Sequence, residues 1–180
     1  RSFTLDKQFV DKKIYIHFDG ATTAATVYVN GEEVGAHKGN YGAFRFDITQ
    51  QVKLEQENIL VVTVNNEIDN NVAPLSADFT FFGGLYRKVR LISSEKIHID
   101  NLNYASAGVF WSQTDISEDF ATLDVRTKLV NESNNDVNIS ITTQLRDVDN
   151  NVVAKSEKEL SLAASQSLPY STTVSFKNPH

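Results

Sequence analysis

Apolar and polar residues alternate through most of this chain, and this pattern constrains the fold more than any other feature. The clearest example is the set Leu123, Val125, Thr127 and Leu129, which share one face of an extended segment. A period of two is the signature of a half-buried β-strand, because successive side chains of a strand point to opposite faces. No segment shows a sustained 3.6-residue period. The sequence therefore predicts an all-β protein.

Turn residues divide the first part of the chain into short strands. Each expected strand carries an apolar alternation, and they are residues 14–18, 27–29, 44–48, 58–64 (NILVVTV) and 85–92 (LYRKVRLI). The dipeptide Asn30-Gly31 follows the second of these strands. Asn-Gly is typical of two-residue hairpin turns, in which both residues have positive φ. We therefore expect a hairpin at this position.

The second part of the chain begins near residue 95 and predicts another set of strands. They are residues 97–104, 121–130, 137–146, 152–162 and 168–176. Strands at this spacing indicate an immunoglobulin-like sandwich, which has about seven strands. We therefore expect the chain to stop before the last strands. Unpaired strand edges would then favour strand borrowing or dimer formation by the isolated chain.

Composition excludes several classes of protein. The formal net charge of −6 argues against a nucleic-acid partner, because phosphate binding requires clustered Lys and Arg. No apolar run approaches the roughly 18 residues of a membrane span. The chain has no cysteine, which excludes disulfides and thiolate sites. It also has no methionine and begins at Arg1, so we expect a fragment of a longer protein.

The sequence shows no set of residues typical of a catalytic site. The four histidines lie far apart, and no pair has the spacing of a metal site on one strand or helix. Glu67 ends the run 62–67 (VTVNNE), a position that can hold a glycosidase carboxylate. However, a retaining glycosidase needs two carboxyl groups about 5 Å apart, and nothing near Glu67 nominates a partner. We interpret Glu67 as the polar end of a strand.

The stretch 77–91 (ADFTFFGGLYRKVRL) offers the best candidate site residue, Asp78. If residues 85–91 alternate as a strand, Arg87 lies on an apolar face and needs a carboxylate partner, because a buried unpaired charge is costly. Asp78 and Asp19 are the candidate partners. The alternative is that Asp78 binds a sugar, with its carboxylate accepting hydroxyl protons beside the rings of three neighbouring phenylalanines. Those rings belong to Phe79, Phe81 and Phe82.

Three segments carry further motifs in a fixed order. They are FDGATTAATVYVNGEEVGAHKGNYGAFRFDIT (18–49), NILVVTVNN (58–66) and DFTFFGGLYRKVRLI (78–92). Together they resemble the N-terminal sugar-binding domain of glycoside hydrolase family 2. The second part resembles the immunoglobulin-like domain of the same family, and FKNPH (176–180) resembles its late N-P-x-L-W segment, cut before the Leu-Trp. The resemblance covers essentially the whole chain.

The resemblance implies an architecture and an activity. It implies a jelly-roll-like sugar-binding domain in residues 1–94, truncated at its N-terminus, and an incomplete immunoglobulin-like sandwich in residues 95–180. In the family a (β/α)₈ barrel follows and carries both catalytic glutamates. We therefore expect a non-catalytic fragment of a retaining exo-glycosidase of the β-galactosidase type. The fragment itself would contain no catalytic residue and hydrolyse nothing.

The resemblance also assigns one role. In β-galactosidases and β-glucuronidases of the family, an Asp six residues before the glycine of G-[IL]-[YFH]-R contacts the sugar or a bound cation in the barrel's pocket. Asp78 stands six residues before Gly84, which implies a substrate-binding role. No cofactor or metal site is expected in this chain itself. The glycines Gly83 and Gly84 after Phe82 favour the β-galactosidase type, because β-glucuronidases prefer Tyr-Ala-Gly there.

Two rival interpretations remain open at this point. The chain could be a free-standing carbohydrate-binding module, or a purely structural, adhesin-like pair of sandwiches. On the family interpretation, the expected partner is a carbohydrate that the longer enzyme binds. Neither a nucleic acid nor a membrane is expected as a partner. The enzyme could form a homo-oligomer. The resemblance to polysaccharide-degrading bacterial enzymes favours the periplasm or the exterior of the cell.

Overall fold

The computed structural model describes residues 1–67, 69–73 and 83–177. The chain forms two units. Unit 1 comprises Arg1–Glu95 and Leu102–Ser106, and unit 2 comprises Lys96–Asn101 and Ala107–His180. The sequence predicted a division into 1–94 and 95–180, whereas residues 102–106 belong to unit 1 in the structure. Among the described residues, no helix is long and apolar enough to cross a membrane.

Unit 1 consists of two antiparallel sheets. Its strands are β1 (Ser2–Thr4), β2 (Lys13–Phe18), β3 (Ala24–Val29), β4 (Glu32–Lys38), β5 (Phe44–Asp47), β6 (Glu57–Asn65) and β7 (Val89–Ser94). One sheet has the order β1-β6-β3-β4, and the other has the order β5-β2-β7. A 3-10 turn at Lys7–Phe9 connects β1 to β2. The all-β prediction is confirmed.

The core of unit 1 lies between these sheets and is centred on β2. Ile14, Ile16 and Phe18 point into it and are almost completely buried. Full burial of each such side chain contributes about 1.5–3 kcal/mol to folding. The ring of Phe18 stacks on Phe44 of β5 with a centroid distance of 4.6 Å, which links the centre of the sheet to its edge.

The predicted hairpin joins β3 to β4. Asn30 has φ 53° and Gly31 has φ 90°, so both turn residues have the positive φ that the Asn-Gly pair tolerates. The Asn30 side chain also accepts a hydrogen bond from Ile59 N at 2.9 Å and donates one to Gln51 O at 2.7 Å. The turn is therefore attached to β6 as well as to its own hairpin.

Unit 2 is also a two-sheet structure. Its strands are β8 (Ile97–Ile99), β9 (Val109–Ile116), β10 (Phe120–Asn131), β11 (Val137–Arg146), β12 (Val152–Leu162) and β13 (Ser167–Lys177). β13 pairs with β10 along nearly its whole length, and both β8 and β9 pair with the other edge of β10. β11 and β12 form the second sheet. Side chains of both sheets meet in two apolar clusters, around Leu123 and around Leu162.

Two strand predictions differ from the structure in unit 2. The run 97–104 is a strand only over Ile97–Ile99. Conversely, the sequence did not predict β9, which begins with the three consecutive apolar residues Val109, Phe110 and Trp111. A run without alternation carries no period-two signal, and all three residues are exposed at the surface.

Candidate functional site

Asp78 lies outside the described residues, as do Phe79, Phe81 and Phe82. All four residues belong to the segment 74–82. The structure does describe the chain on both sides of this segment. We refer to five residues that hold the two ends of this segment as the loop base. They are Thr22, Asn40, Ala73, Gly84 and Tyr86.

The approach to the segment is held by Asp69 and Asn40. The carboxylate of Asp69 accepts hydrogen bonds from Asn71 N at 2.9 Å and Asn71 Nδ2 at 3.0 Å, and it forms an ion pair with Lys38 Nζ at 2.9 Å. The Asn71 amide and the Lys38 ammonium lower the pKa of Asp69 to about 2. Asn40 Nδ2 then donates to Ala73 O at 3.0 Å, so the last described residue before the segment is tied to the body of unit 1.

The exit from the segment is held by a bridge and a hydroxyl. Thr22 and Gly84 exchange two backbone hydrogen bonds of 3.3 Å. Gly84 has φ 100°, a conformation that side chains with a Cβ rarely adopt. A Cβ on Gly83 would lie 2.8 Å from Asn66 Cγ, so a larger residue at position 83 would collide with the Asn66 side chain. The hydroxyl of Tyr86 donates to the main-chain oxygen of Asn40.

Arg87 does not lie on an apolar strand face, so the prediction of a buried guanidinium is wrong. The strand β7 begins at Val89, because the preceding residues follow the irregular path of the loop base. Arg87 is exposed, and its Nη1 donates to the main-chain oxygens of Asp19 and Tyr41, both at 3.3 Å. A guanidinium at the surface needs no buried carboxylate. The Asp78–Arg87 pair itself involves a residue outside the described part of the chain.

Asp19, the other predicted partner of Arg87, binds Arg90 instead. Arg90 Nη1 lies 2.5 Å from Asp19 Oδ1, and Arg90 Nη2 lies 2.8 Å from Asp19 Oδ2. The register of β2 and β7 places Arg90 opposite His17, two residues before Asp19 on the same face. Bidentate geometry of this kind is the strongest form of an arginine–carboxylate pair.

His17 connects this ion pair to a second arginine. Its Nε2 lies 3.0 Å from Asp19 Oδ1, and Arg45 Nε donates to its Nδ1 at 3.4 Å. A neutral imidazole with its proton on Nε2 satisfies both contacts. Burial and the nearby positive charge of Arg45 lower the pKa of His17 despite Asp19, so the neutral form is favoured. Hydrogen bonds from Arg90 lower the pKa of Asp19 and keep it ionised.

The remaining sequence candidates have local explanations. Glu67 N donates to Asn65 Oδ1 at 2.8 Å, and Glu67 Oε2 accepts from Asn65 Nδ2 at 3.1 Å, which is a turn at the end of β6. The ring of His37 stacks on Phe44 at a centroid distance of 4.2 Å. His98 lies in unit 2, 3.8 Å from the Glu132 carboxylate. His180 lies outside the described residues, within which no three acidic or histidine side chains form a potential metal site.

Among the described residues, the structure therefore assembles a set of hydrogen bonds that hold the backbone around the segment 74–82, and not a set of catalytic side chains. Hydrogen bonds at the loop base hold the two ends of the segment 74–82 to unit 1. The sequence reasoning missed Asn40 and Tyr86, although both lie within the recurring motifs. Their signal was weak, because an Asn between Gly39 and Tyr41 reads as an ordinary turn residue, and Tyr86 falls within the run 85–92, which predicts a strand.

Both units match known family profiles. Residues 1–95 match the sugar binding domain of glycosyl hydrolases family 2. Residues 97–180 match a second domain of glycosyl hydrolases family 2. The first match alone spans more than half of the chain.

Individual relatives agree with these profiles. A beta-glucuronidase of Formosa agariphila is 32% identical over 191 residues, covering 99% of this chain and 19% of the relative. A beta-galactosidase of Thermoanaerobacter pseudethanolicus is 32% identical over 187 residues, covering 98% of this chain and 25% of the relative. Among solved structures, the crystal structure of a Bacteroides uniformis beta-glucuronidase is 33% identical with a TM-score of 0.94, covering 100% of this chain and 22% of that one.

The chain thus spans about a quarter or less of the length of these relatives. Sequence profile, pairwise identity and fold agree over both units. This chain belongs to glycosyl hydrolase family 2, in which it corresponds to the sugar binding domain and the domain that follows it.

Proposed function

We propose that this chain supplies the non-catalytic domains of a retaining exo-glycosidase whose catalytic barrel lies C-terminal to them. The observation that carries this proposal is the match of both units, in order, to domains of family 2 glycosidases. The chain alone would not hydrolyse glycosides. The test compares the purified chain with the full-length enzyme that contains it, on aryl β-glycosides. Turnover by the chain alone would contradict the proposal.

We infer that the substrate of the full-length enzyme is a β-galactoside. The support is Phe82-Gly83-Gly84, where the family's β-glucuronidases prefer Tyr-Ala-Gly. The second candidate is a β-glucuronide, because a beta-glucuronidase and a beta-galactosidase match this chain with the same identity. Values of kcat/KM on the p-nitrophenyl β-galactoside and β-glucuronide decide between them. Higher kcat/KM on the glucuronide would overturn the galactoside.

Asp78 is the residue to which we assign substrate binding in the full-length enzyme. Its spacing of six residues from Gly84, which matches the family motif, supports the assignment. Asp78→Asn keeps the size of the side chain but removes its negative charge. We expect kcat/KM of the full-length enzyme to fall about 100-fold, comparable to loss of one strong charge-assisted contact, with unchanged thermal stability. Lost stability with intact activity would instead identify a structural ion pair.

The family role of the matching Asp includes contact with a bound cation, and the full-length enzyme can test this part. We propose that any such cation sits in the pocket of the longer enzyme and not within this chain alone. Dialysis against a chelator, followed by addition of Mg²⁺ or Ca²⁺, would reveal a dependence of activity on the metal. The Asp78→Asn variant should lose that dependence if Asp78 contacts the cation.

A free-standing sugar-binding module is the alternative for the isolated chain, favoured by the family description of residues 1–95. Titration calorimetry of the chain with galactose and glucuronate distinguishes the two. We expect no measurable heat, because the barrel contributes the rest of the pocket. Saturable binding that Asp78→Asn abolishes would favour the module.

We also propose that the full-length enzyme forms a homo-oligomer. Analytical ultracentrifugation of the full-length enzyme tests this proposal, and a sedimentation coefficient typical of the monomer would contradict it.

A further inference from the structure

The strand β9 of unit 2 exposes a continuous apolar run. Val109, Phe110 and Trp111 are 45%, 39% and 65% exposed, and Ile116 at the other end of the strand is 61% exposed. Contiguous apolar surface of this kind on a folded domain marks an interaction site. The hydrogen bonds of the loop base involve none of these residues, so the candidate site does not account for their exposure.

Trp111 lies on the inner face of its sheet, although it is exposed. Its direct partner in β10 is Val125, and directly opposed residues of an antiparallel pair point to the same face. Val125 packs against the apolar cluster around Leu123, to which β11 contributes Leu145 and β12 contributes Ala154. The second sheet therefore covers this cluster but leaves Trp111 open. Because the apolar face of a sheet is stable only when another element covers it, Trp111 requires a further surface.

The backbone edge of β9 is open as well. β9 pairs with β10 on one side, and no strand of the described residues pairs with its other side. Soluble proteins protect such edges with Lys, Pro or bulges, because the unpaired backbone groups bind a further strand. Residues 109–113 (VFWSQ) contain no Pro and no charged residue. The register with β10 shifts only after Gln113, so five residues of the edge are regular and unprotected.

A second copy of the same strand fits this edge. If residues 109–113 of two copies pair in antiparallel fashion, Trp111 lies on the two-fold axis opposite its own copy. Val109 then faces Gln113, and Phe110 faces Ser112. A two-fold interface must be self-complementary, and this register places no charge opposite a like charge. Aromatic pairs across neighbouring strands stabilise antiparallel sheets.

The area of this surface is that of a weak dimer. An aromatic side chain covers about 150–250 Å², so the exposed parts of Val109, Phe110 and Trp111 and the backbone edge of two copies bury on the order of 1,000 Å². Stable complexes bury about 1,200 Å² or more. Each copy also carries a net charge of −6, and salt screens the resulting repulsion. We therefore expect association that needs a high chain concentration and strengthens with added salt.

We propose that two copies of this chain associate through β9, forming a continuous sheet across a two-fold axis with Trp111 at its centre. The sequence predicted unpaired strand edges in this unit, and β9 combines an open backbone edge with exposed apolar side chains. The inference depends on unit 2 alone. It therefore stands or fails independently of the proposed glycosidase activity.

Fluorescence of Trp111 tests the inference directly, because it is the only tryptophan of the chain. We expect its emission maximum to shift to shorter wavelength, and its quenching by acrylamide to fall several-fold, as the chain concentration rises to about 0.5 mM. Sedimentation velocity should show a dimer over the same range. A monomer whose Trp111 stays exposed at every concentration would overturn the inference, and would leave another part of a longer protein to cover this surface.

A matched pair of variants shows whether β9 is the interface. Trp111→Lys places a charge at the centre of the edge, where lysine prevents strand pairing, and should keep the chain monomeric. Tyr104→Lys introduces the same charge at an aromatic residue that is 92% exposed and lies outside β9, and it should dimerise as the unchanged chain does. A dimer that survives Trp111→Lys, or equal losses in both variants, would overturn the inference.

A second variant retains the fluorescent probe and covers the case in which Trp111→Lys fails to fold. Gln113→Lys adds the charge to an exposed position of the same edge. Its Trp111 emission should stay at long wavelength at all concentrations, with the thermal midpoint of the unchanged chain. A concentration-dependent shift equal to that of the unchanged chain would show that the copies do not pair through 109–113.

Discussion

Arg90 of β7 holds the carboxylate of Asp19, the residue that follows β2, with both terminal guanidinium nitrogens, at 2.5 and 2.8 Å. Asp19→Asn would remove the charge and one acceptor while leaving the shape of the side chain. We expect a lower midpoint of thermal unfolding of unit 1, because Arg90 loses its charged, bidentate partner. Asp149→Asn, on an exposed turn of unit 2, is the control and should leave the midpoint unchanged. Equal midpoints for both variants would contradict this role of the pair.

Asp69 should make the chain lose stability in strong acid. Hydrogen bonds from Asn71 and Lys38 lower its pKa from 3.8 to about 2 in the folded chain. Because the unfolded chain binds the proton first, this stabilisation is complete above pH 3.8 and is lost as the pH falls through about 2. Urea unfolding between pH 5 and pH 2 measures the effect. Asp69→Asn should flatten this part of the pH profile, and an unchanged slope would contradict the prediction.

His17 and His37 should titrate below the ordinary histidine range. Burial lowers the pKa of both, and the charge of Arg45 adds to the effect at His17. A lowered pKa means that the unfolded state takes up the proton first, so stability is complete above pH 6.5 and falls as the pH drops through the folded pKa values. NMR titration of the imidazole signals measures this directly. In urea, both should return to about 6.5, the value of an unperturbed histidine.

Asn30 should stabilise the β3–β4 hairpin through its backbone and its side chain separately. Asn30→Ala puts a residue at φ 53° that tolerates this conformation less well than Asn does, and it removes the bonds to Gln51 and Ile59, so we expect a loss of about 2–3 kcal/mol in the free energy of unfolding. Asn30→Gly adopts the positive φ readily but cannot make the side-chain bonds, and should lose only about half as much. Denaturant unfolding of the two variants separates the contributions, and equal losses would mean that the backbone conformation costs nothing.

Asn131 should be the most sensitive polar residue of unit 2. It is completely buried, and its Nδ2 donates to the main-chain oxygens of Asn135 (2.9 Å), Leu162 (3.3 Å) and Ala163 (2.9 Å). Asn131→Ala would remove these three donated bonds and the two that its Oδ1 accepts from Ser133, so we expect a loss of about 2–4 kcal/mol in the free energy of unfolding. The neighbouring Asn134 is exposed, and Asn134→Ala should be nearly neutral. A neutral Asn131→Ala would show that water replaces these bonds.

The all-β class and several strands could be predicted because their signals are local. The run 137–146 is β11 in the structure, and its side chains alternate between half-buried and exposed along the whole strand. The Asn30-Gly31 turn also appears as predicted, since positive φ at both positions is a property of the two residues themselves. Family membership could be predicted as well, because the motifs recur as an ordered set. Asp78 as a substrate-binding residue stays a prediction.

Charge partners and the loop base could not be read from the sequence. The sequence offered Asp19 only as a partner of Arg87, and only the register of β2 with β7 showed that its carboxylate binds Arg90. Asn40 became recognisable only when the folded chain brought Ala73 and Tyr86 to it. Alternation and turn chemistry act between residues close in sequence, and the sequence by itself therefore determined most of the strands, the Asn30-Gly31 turn and the family. Pairing depends on contacts between distant segments, and so only the tertiary structure decided which residues hold the candidate site.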